Sequence, residues 1–168
     1  MTIVCVPKIE SNIVEVCVFR HSSAGPQYLL LRRSSTERLY PDLWQIITGK
    51  IKDDEGAVEA AVREMREETG LVANRFWVLP HVSSFYDPAA DVVNLCTMFA
   101  AEVDQNQGLS LSKEHQAFRW TGFDETMLAL PWPAQRDAID TVRKHVVAGD
   151  ETAKLTELKI ALAERDKP

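Results

Sequence analysis

The sequence contains only 3 cysteines among its 168 residues, and they are isolated from one another. This number and spacing exclude a disulfide framework and a CxxC metal or redox motif. We therefore expect Cys5, Cys17 and Cys96, which lie among apolar residues, to be buried free thiols. Free thiols of this kind are typical of the reducing cytosol, so we expect a cytoplasmic protein.

The chain also lacks a long hydrophobic run and an excess of basic residues. No window approaches the roughly 20 apolar residues that a membrane-spanning helix needs, and the first residues lack the pattern of a signal peptide. The 25 acidic and 19 basic residues give a formal net charge of −6. This balance argues against an anionic membrane or a polymeric nucleic acid as the main partner.

What the chain does have is a concentration of acids in one segment. Residues 50–70 hold seven acids and four bases, which accounts for half of the net negative charge. Glu64, Glu67 and Glu68 are spaced so that they repel one another on a helix. One interpretation is a solvated helix face. The other is a divalent cation, which would also reverse the sign of the site for an anionic substrate.

Hydrophobic patterning predicts strands before and after a central helix. The predicted strands cover residues 12–20, 27–33, 44–47, 76–79, 81–86, 92–103 and 118–121, and the predicted loops cover residues 34–43 and 104–117. The predicted helices cover residues 57–69, 124–130, 133–147 and 152–164. This order indicates one α/β or α+β domain over residues 1–149. A helical tail over residues 150–168 would pack on the domain or on a second subunit, which leaves a homodimer open.

The predicted helix over residues 57–69 places its acids beside its buried face. Asp53 or Asp54 is expected to cap its start, and Gly70 is expected to end it in the left-handed conformation. At 100° per residue, one apolar stripe consists of Val58, Ala61, Val62, Met65 and Thr69. The three glutamates fall on the adjoining flank, which suits the rim of a cleft better than an open surface.

The segment from Gly49 to Leu71 resembles the Nudix box. Gly49, five residues, Glu55, seven residues and then Arg-Glu-Met-x-Glu-Glu-x-Gly-Leu agree with the signature at every defined position. The resemblance implies a Nudix α/β/α sandwich, with a mixed sheet and the box as a loop–helix–loop. It also implies hydrolysis of a nucleoside diphosphate linked to another group, with Mg²⁺ or Mn²⁺ as the cofactor.

The resemblance implies roles for particular residues of the box. Glu67 and Glu68 match the principal metal ligands, and Glu64 matches a residue that binds a metal or helps to activate water. Arg63 matches the arginine that orients these glutamates by pairing with them. Glu55 matches an accessory electrostatic position.

The residues just before the box depart from the commonest family pattern. Thr48 stands where many members have a glycine, although its backbone carbonyl can still bind a metal. The form Trp44-Gln45-x-x-Thr48-Gly49 is similar to the branch that contains dihydroneopterin triphosphate pyrophosphohydrolases, and segments 114–120 and 132–139 resemble the same branch. Trp44 and Gln45 are therefore candidate substrate contacts.

Four further candidates lie outside the box. Glu114 is the candidate for a remote metal ligand or general base, against the alternative of a loop carboxylate in solvent. Arg32 and Arg33 end a strand and can hold phosphate through bidentate bonds, although at least one of them is expected to be a surface residue. Tyr86 can stack on a base or pterin, whereas aromatic residues in strands are usually core residues.

These features lead to one main functional hypothesis. The chain is expected to be a Mg²⁺-dependent pyrophosphohydrolase that cleaves a nucleoside triphosphate, such as a dNTP, or dihydroneopterin triphosphate to a monophosphate and pyrophosphate. The first alternative is a hydrolase of dinucleoside polyphosphates, ADP-ribose or nucleotide sugars. The second is a Nudix module that binds a nucleotide without cleaving it. In each case the partner is a small nucleotide or pterin phosphate.

Overall fold

A computed structural model describes residues 6–160, which form one eight-stranded mixed sheet with helices on both faces. The first half comprises β1 (Lys8–Ser22), β2 (Gly25–Arg33), β3 (Trp44–Gln45), β4 (Ile47–Lys50) and α1 (Ala57–Thr69). The second half comprises β5 (Arg75–Asp87), β6 (Val92–Glu102), β7 (His115–Thr121), α2 (Phe123–Ala129), α3 (Pro133–Thr141), α4 (Glu151–Thr156) and β8 (Glu157–Leu158). Cys5 and residues 161–164 of the predicted last helix lie outside the described residues.

The long strand β1 organises the sheet. The strand order is β3-β2-β1-β6-β5-β8, with β4 also paired to β1 and β7 also paired to β2. The β1–β6 pair is parallel, and all the other pairs are antiparallel. Residues 14–19 of β1 are buried on both faces, which explains why this strand is an almost continuous apolar run.

Two hydrophobic cores lie on opposite faces of the sheet. Alternate residues of β1 enter different cores, with Val14 and Val16 facing α1 and Cys17 and Phe19 facing the helices of the C-terminal half. The first core includes Ala60, Ala61 and Met65 of α1, and the second includes Leu130, Ala138, Ile139 and Val142. The expected α/β/α sandwich is therefore confirmed.

The helix α1 has the predicted bounds, but its cap and its buried face differ from the prediction. Gly56 is the N-cap, and its N–H donates to the Glu59 carboxylate at 2.9 Å, so neither predicted aspartate caps the helix. Gly70 has a φ of 70° and ends the helix as expected. Glu68 is buried together with Met65, so the buried stripe extends into the acidic flank.

The C-terminal part departs further from the prediction. The helix α3 continues as a π-helical segment, Val142–Val147. The last predicted helix is wrong from Glu157 onward within the described residues, because Glu157–Leu158 form β8 and pair with β5. Two hydrogen bonds of 2.8 and 2.7 Å from Arg75 to the Glu157 carboxylate hold this strand at the sheet edge. The segment after α4 thus packs on the sheet.

Three strand predictions are corrected by the pairing pattern. The predicted strand 44–47 is two strands, since β3 pairs with β2 and β4 pairs with β1. The predicted strands 76–79 and 81–86 are the single strand β5, which passes Pro80 with a register shift between Val78 and Val82. The predicted loop 104–117 ends earlier, because β7 begins at His115. Within residues 6–160, no helix is long and apolar enough to cross a membrane.

Candidate active site

Arg63 is the centre of a network of charged groups on α1 and the preceding loop. Its guanidinium donates two hydrogen bonds of 2.7 and 2.8 Å to Glu55, and further bonds to Glu64 at 2.7 Å and to Glu67 at 3.0 Å. A fifth bond of 2.8 Å reaches the carbonyl of Lys50. These bonds hold the pKa of Glu55 down at about 2. The arginine therefore fixes the loop against the helix and orients two of the glutamates.

Gly49 provides the space in which Glu64 lies. A Cβ at position 49 would be 2.6 Å from Oε1 of Glu64 and closer still to its Cγ and Cδ atoms. The side chain of Glu64 is largely buried, with 15% of its surface exposed. The glycine is thus required by a close approach between β4 and a helix side chain.

Glu68 is a buried carboxylate that is only partly satisfied. The residue is 3% exposed, and no donor among the described residues reaches its Oε2 atom. Burial, together with the charges of Glu64 and Glu114, raises the pKa of Glu68 to about 9. A buried acid of this kind requires a compensating positive charge if it is to be ionised at neutral pH.

His115 and Gln45 lie next to this carboxylate. The Nε2 atom of His115 is 3.8 Å from Oε2 of Glu68 and 3.4 Å from Nε2 of Gln45. Burial, together with the charge of Arg33, lowers the pKa of His115 to about 4. The imidazole is therefore neutral near pH 7 and supplies no positive charge to Glu68.

The oxygen atoms in this region suit a divalent cation. Glu64 and Glu114 line one side of the cavity described below, and the charges of both act on the buried Glu68. Mg²⁺ and Mn²⁺ prefer carboxylate ligands together with waters and phosphates. Among residues 6–160, no three acidic, histidine or cysteine side chains already converge as a ligand set. Because Arg63 pairs with Glu64 and Glu67, a metal ion would compete with the guanidinium for those oxygens.

We predict that Arg63→Lys lowers kcat by roughly 10–100-fold, the range typical for residues that orient metal ligands. A lysine keeps the charge but cannot form the fork that joins Glu55, Glu64 and Glu67. The measurement is kcat as a function of Mg²⁺ concentration, and we expect the midpoint to rise. The control is Arg75→Lys, which alters an arginine fork at the far edge of the sheet. Equal effects of the two substitutions would contradict the positioning role.

A cavity of about 840 Å³ adjoins the acidic helix. Glu64, Gly49, Thr48 and Glu114 line one part of it. Its remaining walls are largely apolar and include Leu39, Tyr40, Phe85, Tyr86 and Trp132. A polar, acidic end and an apolar, aromatic end are suited to a ligand that combines phosphates with a flat ring.

The predicted substrate contacts divide between cavity and surface. Arg33, Gln45 and Tyr86 line the cavity, although Arg33 also pairs with Glu37 at 3.0 Å. Arg32 and Trp44 are not among the lining residues: the first pairs with Asp42 at 3.0 Å, and the second packs against the second core beneath the guanidinium of Arg119. Adjacent residues of a strand face opposite sides, which separates Arg32 from Arg33.

A buried polar cluster in the cavity wall was not predicted from the sequence. The carboxylate of Glu15 accepts hydrogen bonds from Gln135 Nε2 at 2.7 Å and from Ser83 Oγ at 3.1 Å. The hydroxyl of Thr48 lies 3.4 Å from Oε1 of Glu15. Burial raises the pKa of Glu15, and these donors oppose the shift. The signal in the sequence was a single acid within an otherwise apolar strand.

Sequence comparisons identify related proteins. The profile of the NUDIX domain matches residues 12–142. The asymmetrical bis(5′-nucleosyl)-tetraphosphatase of Mus musculus is 34% identical over 84 residues, which are 49% of this chain and 57% of that protein. An octanoyltransferase of Myxococcus xanthus is 27% identical over 133 residues, which are 75% of this chain and 35% of that protein. The chain therefore spans about a third to just over half of the length of these relatives.

Structural comparisons agree on the fold. An Ap4A hydrolase from C. elegans superposes with a TM-score of 0.70 at 18% identity, covering 84% of this chain and 100% of the other. The dihydroneopterin triphosphate pyrophosphohydrolase of E. coli superposes with a TM-score of 0.62 at 21% identity, covering 81% of this chain and 96% of the other. At these identities, the comparisons support the architecture alone.

Proposed function

The chain belongs to the Nudix family, and on this basis we propose that it is a Mg²⁺- or Mn²⁺-dependent pyrophosphohydrolase. Its proposed substrate is a nucleoside triphosphate or dihydroneopterin triphosphate, and its products are a monophosphate and pyrophosphate. The observation that carries the proposal is Glu68, a buried carboxylate whose Oε2 atom has no donor among the described residues. The charges of Glu64 and Glu114 act on it, and these two residues line the acidic end of a cavity large enough for a nucleotide.

The residues at the acidic end have complementary roles in this proposal. Glu67 and Glu68 would hold the cation, with Glu64, Glu114 and the backbone carbonyl of Thr48 as further ligands. A bound divalent cation neutralises phosphate oxygens and increases the nucleophilicity of water.

In this proposal the remaining groups of the acidic end orient the glutamates, accept a proton or bind phosphate. Arg63 orients Glu64 and Glu67 through its hydrogen bonds, and Glu64 or Glu114 accepts the proton from the attacking water. Arg33, already in the cavity wall, binds phosphate.

A second candidate is a hydrolase of dinucleoside polyphosphates. The similarity to the mouse tetraphosphatase supports it, and ADP-ribose and nucleotide sugars are further substrates of the same kind. A binding module that does not cleave its nucleotide is the third candidate. The presence of every glutamate of the box favours a hydrolase over such a module.

The products distinguish these candidates. We expect the purified full chain with Mg²⁺ to release pyrophosphate from dNTPs or dihydroneopterin triphosphate, measured by coupled detection of pyrophosphate and by chromatography of the nucleotide product. Release of two nucleotides from Ap4A would favour the second candidate over the first. Release of a sugar phosphate from ADP-ribose or a nucleotide sugar would do the same. Tight nucleotide binding without hydrolysis in Mg²⁺ or Mn²⁺, including at alkaline pH, would establish the binding module.

The cellular setting and assembly are part of the proposal. Buried free thiols at Cys17 and Cys96 support a reducing compartment, and we propose the cytosol. We propose residues 1–149 as the catalytic domain and residues 150–168 as a tail, with a homodimer as the assembly to be tested by light scattering.

A further inference from the structure

The apolar end of the cavity has a floor made of hydrogen-bond acceptors. Glu15 and Gln135 are 6% and 4% exposed, and both line the cavity together with Ser83. None of the three belongs to the acidic helix or to the Nudix box. The chemistry proposed above assigns no role to any of the three, and their buried polar groups need another explanation.

The hydrogen bonds of the floor leave several acceptors available, against a single remaining donor, the second N–H of the Gln135 amide. An ionised carboxylate accepts about four hydrogen bonds. Glu15 receives bonds from Gln135 and Ser83, and its contact with the Thr48 hydroxyl is shared with the carbonyl of Ile46 at 3.3 Å. Because the Ser83 hydroxyl donates its proton to Glu15, its oxygen acts as an acceptor, one that the Cys96 thiol also approaches.

The amide of Gln135 adds a further acceptor. Its Nε2 group donates to Glu15 at 2.7 Å, which fixes the orientation of the amide. Its Oε1 atom is buried, and no donor among the described residues reaches it. A buried acceptor without a donor is costly unless a ligand supplies the donor.

Strand alternation separates this floor from the acidic helix. Val14 and Val16 face the core that contains α1, whereas Cys17 faces the core of the C-terminal half. Glu15 lies on the same face as Cys17, where Gln135 of α3 covers it. Glu15 therefore lies on the face of β1 away from α1, and the Thr48 hydroxyl, 3.4 Å from Glu15, marks where the floor meets the acidic end. This position suits Glu15 to recognition of the ring rather than to metal binding.

We propose that Glu15, Ser83 and Gln135 recognise a 2-amino-4-oxo heterocycle, the ring edge shared by guanine and pterins. This inference rests on the proposed function and narrows its substrate. Such an edge presents a ring N–H and an adjacent amino group, two donors side by side, which match a floor of acceptors. Adenine presents a ring acceptor beside its amino group, and this acceptor would face the Glu15 carboxylate unfavourably.

The walls of the same cavity fit a flat ring. Phe85 and Tyr86 lie at the end of β5 nearest to Ser83, and both are about half exposed. Tyr40 and Trp132 also line the cavity and contact each other edge to face, with their ring centroids 5.0 Å apart. Aromatic walls bind any base by stacking, so the selectivity has to come from the floor.

The test compares dGTP, dihydroneopterin triphosphate, dITP and dATP as substrates of the full chain with Mg²⁺. We expect kcat/KM for dGTP and dihydroneopterin triphosphate to exceed that for dATP by roughly 10–100-fold, the discrimination typical of a paired contact to a base edge. We expect dITP, which lacks the amino group, to lie between them. In Glu15→Gln the preference for dGTP over dATP should fall to within about threefold, since one acceptor becomes a donor.

Two controls keep the result interpretable. Glu10→Gln changes an exposed acid of the same strand and should leave the preference unchanged. Ser83→Ala removes one acceptor with little change of volume and should reduce the preference severalfold. If Glu15→Gln does not fold, the preference measured in Ser83→Ala tests the inference instead.

The outcomes separate this inference from the proposed function. Hydrolysis of all four triphosphates at similar rates would overturn the inference and leave the proposed function intact. An equal loss of kcat/KM on all four substrates in Glu15→Gln would have the same meaning. If nothing is hydrolysed, ligand-observed NMR with guanosine, neopterin and adenosine decides the inference alone. Preferential binding of guanosine and neopterin that is lost in Glu15→Gln supports it, and equal or absent binding overturns it.

Discussion

Replacing Glu68 by glutamine is expected to lower kcat by on the order of 10²–10⁴-fold, the range over which an essential ionised group contributes to catalysis. Glutamine has nearly the same volume, so the packing beside Met65 is preserved. The substitution removes a buried acidic group whose Oε2 atom has no donor among the described residues. A large loss of turnover in a folded protein would therefore reflect the missing carboxylate.

The same substitution should stabilise the metal-free protein at neutral and higher pH. The pKa of Glu68 is raised to about 9 in the folded state from an ordinary value of 4.5, so the folded state binds more protons than the unfolded state between these values. The free energy of unfolding of the wild type therefore falls as the pH rises through this window. At pH 7 the raised pKa lowers the free energy of unfolding of the wild type by at most roughly 3 kcal/mol. Glutamine has no ionisable group, so the variant avoids this loss.

Urea denaturation in EDTA at pH 5 and pH 8 measures this effect. We expect Glu68→Gln to be more stable than the wild type at pH 8 and similar to it at pH 5. Addition of Mg²⁺ should raise the melting temperature of the wild type and not that of the variant. Glu151→Gln, at an exposed helix position, is the matched control. Wild-type turnover in Glu68→Gln, or a retained response to Mg²⁺, would show that the metal assignment is wrong.

Local patterns predicted most of the fold. The bounds of α1 follow from helix propensity, and its end follows from one left-handed glycine. The central position of β1 follows from its apolar run. Each of these signals depends on only a few neighbouring residues. The Nudix resemblance extended these elements to a mixed sheet between two helical layers, which the structure confirms. The individual roles of all the candidate site residues stay predictions.

Long-range contacts decided the features that the sequence did not reveal. Helix propensity favoured a helix through Glu157, but the pairing with β5 and the bonds from Arg75 override it. The burial of Glu68 depends on how α1 packs in the folded protein, and helical periodicity alone placed it only on the flank. The contact between Glu15 and Gln135 joins residues 120 positions apart, so neither residue signalled the other.

Replacing Gly49 by alanine is expected to lower kcat by roughly 100-fold while changing stability little. The new methyl group would overlap the side chain of Glu64. This side chain has to rotate away, because the backbone of β4 is paired with β1 and cannot move freely. Rotation would break the 2.7 Å bond from Arg63 to Glu64 and displace the carboxylate from the cavity. Displacement of a catalytic group by about 1 Å is enough for a loss of this size.

Two comparisons separate this steric effect from a general loss of packing. Gly108→Ala places a methyl group in open space and should leave both kcat and the melting temperature unchanged. Any destabilisation in Gly49→Ala should disappear in the double variant with Glu64→Ala, because the overlapping atoms are then absent, while activity stays low. Non-additivity in this cycle measures the contact directly. Additive effects on stability, or full activity in Gly49→Ala, would show that Glu64 does not depend on the space above Gly49.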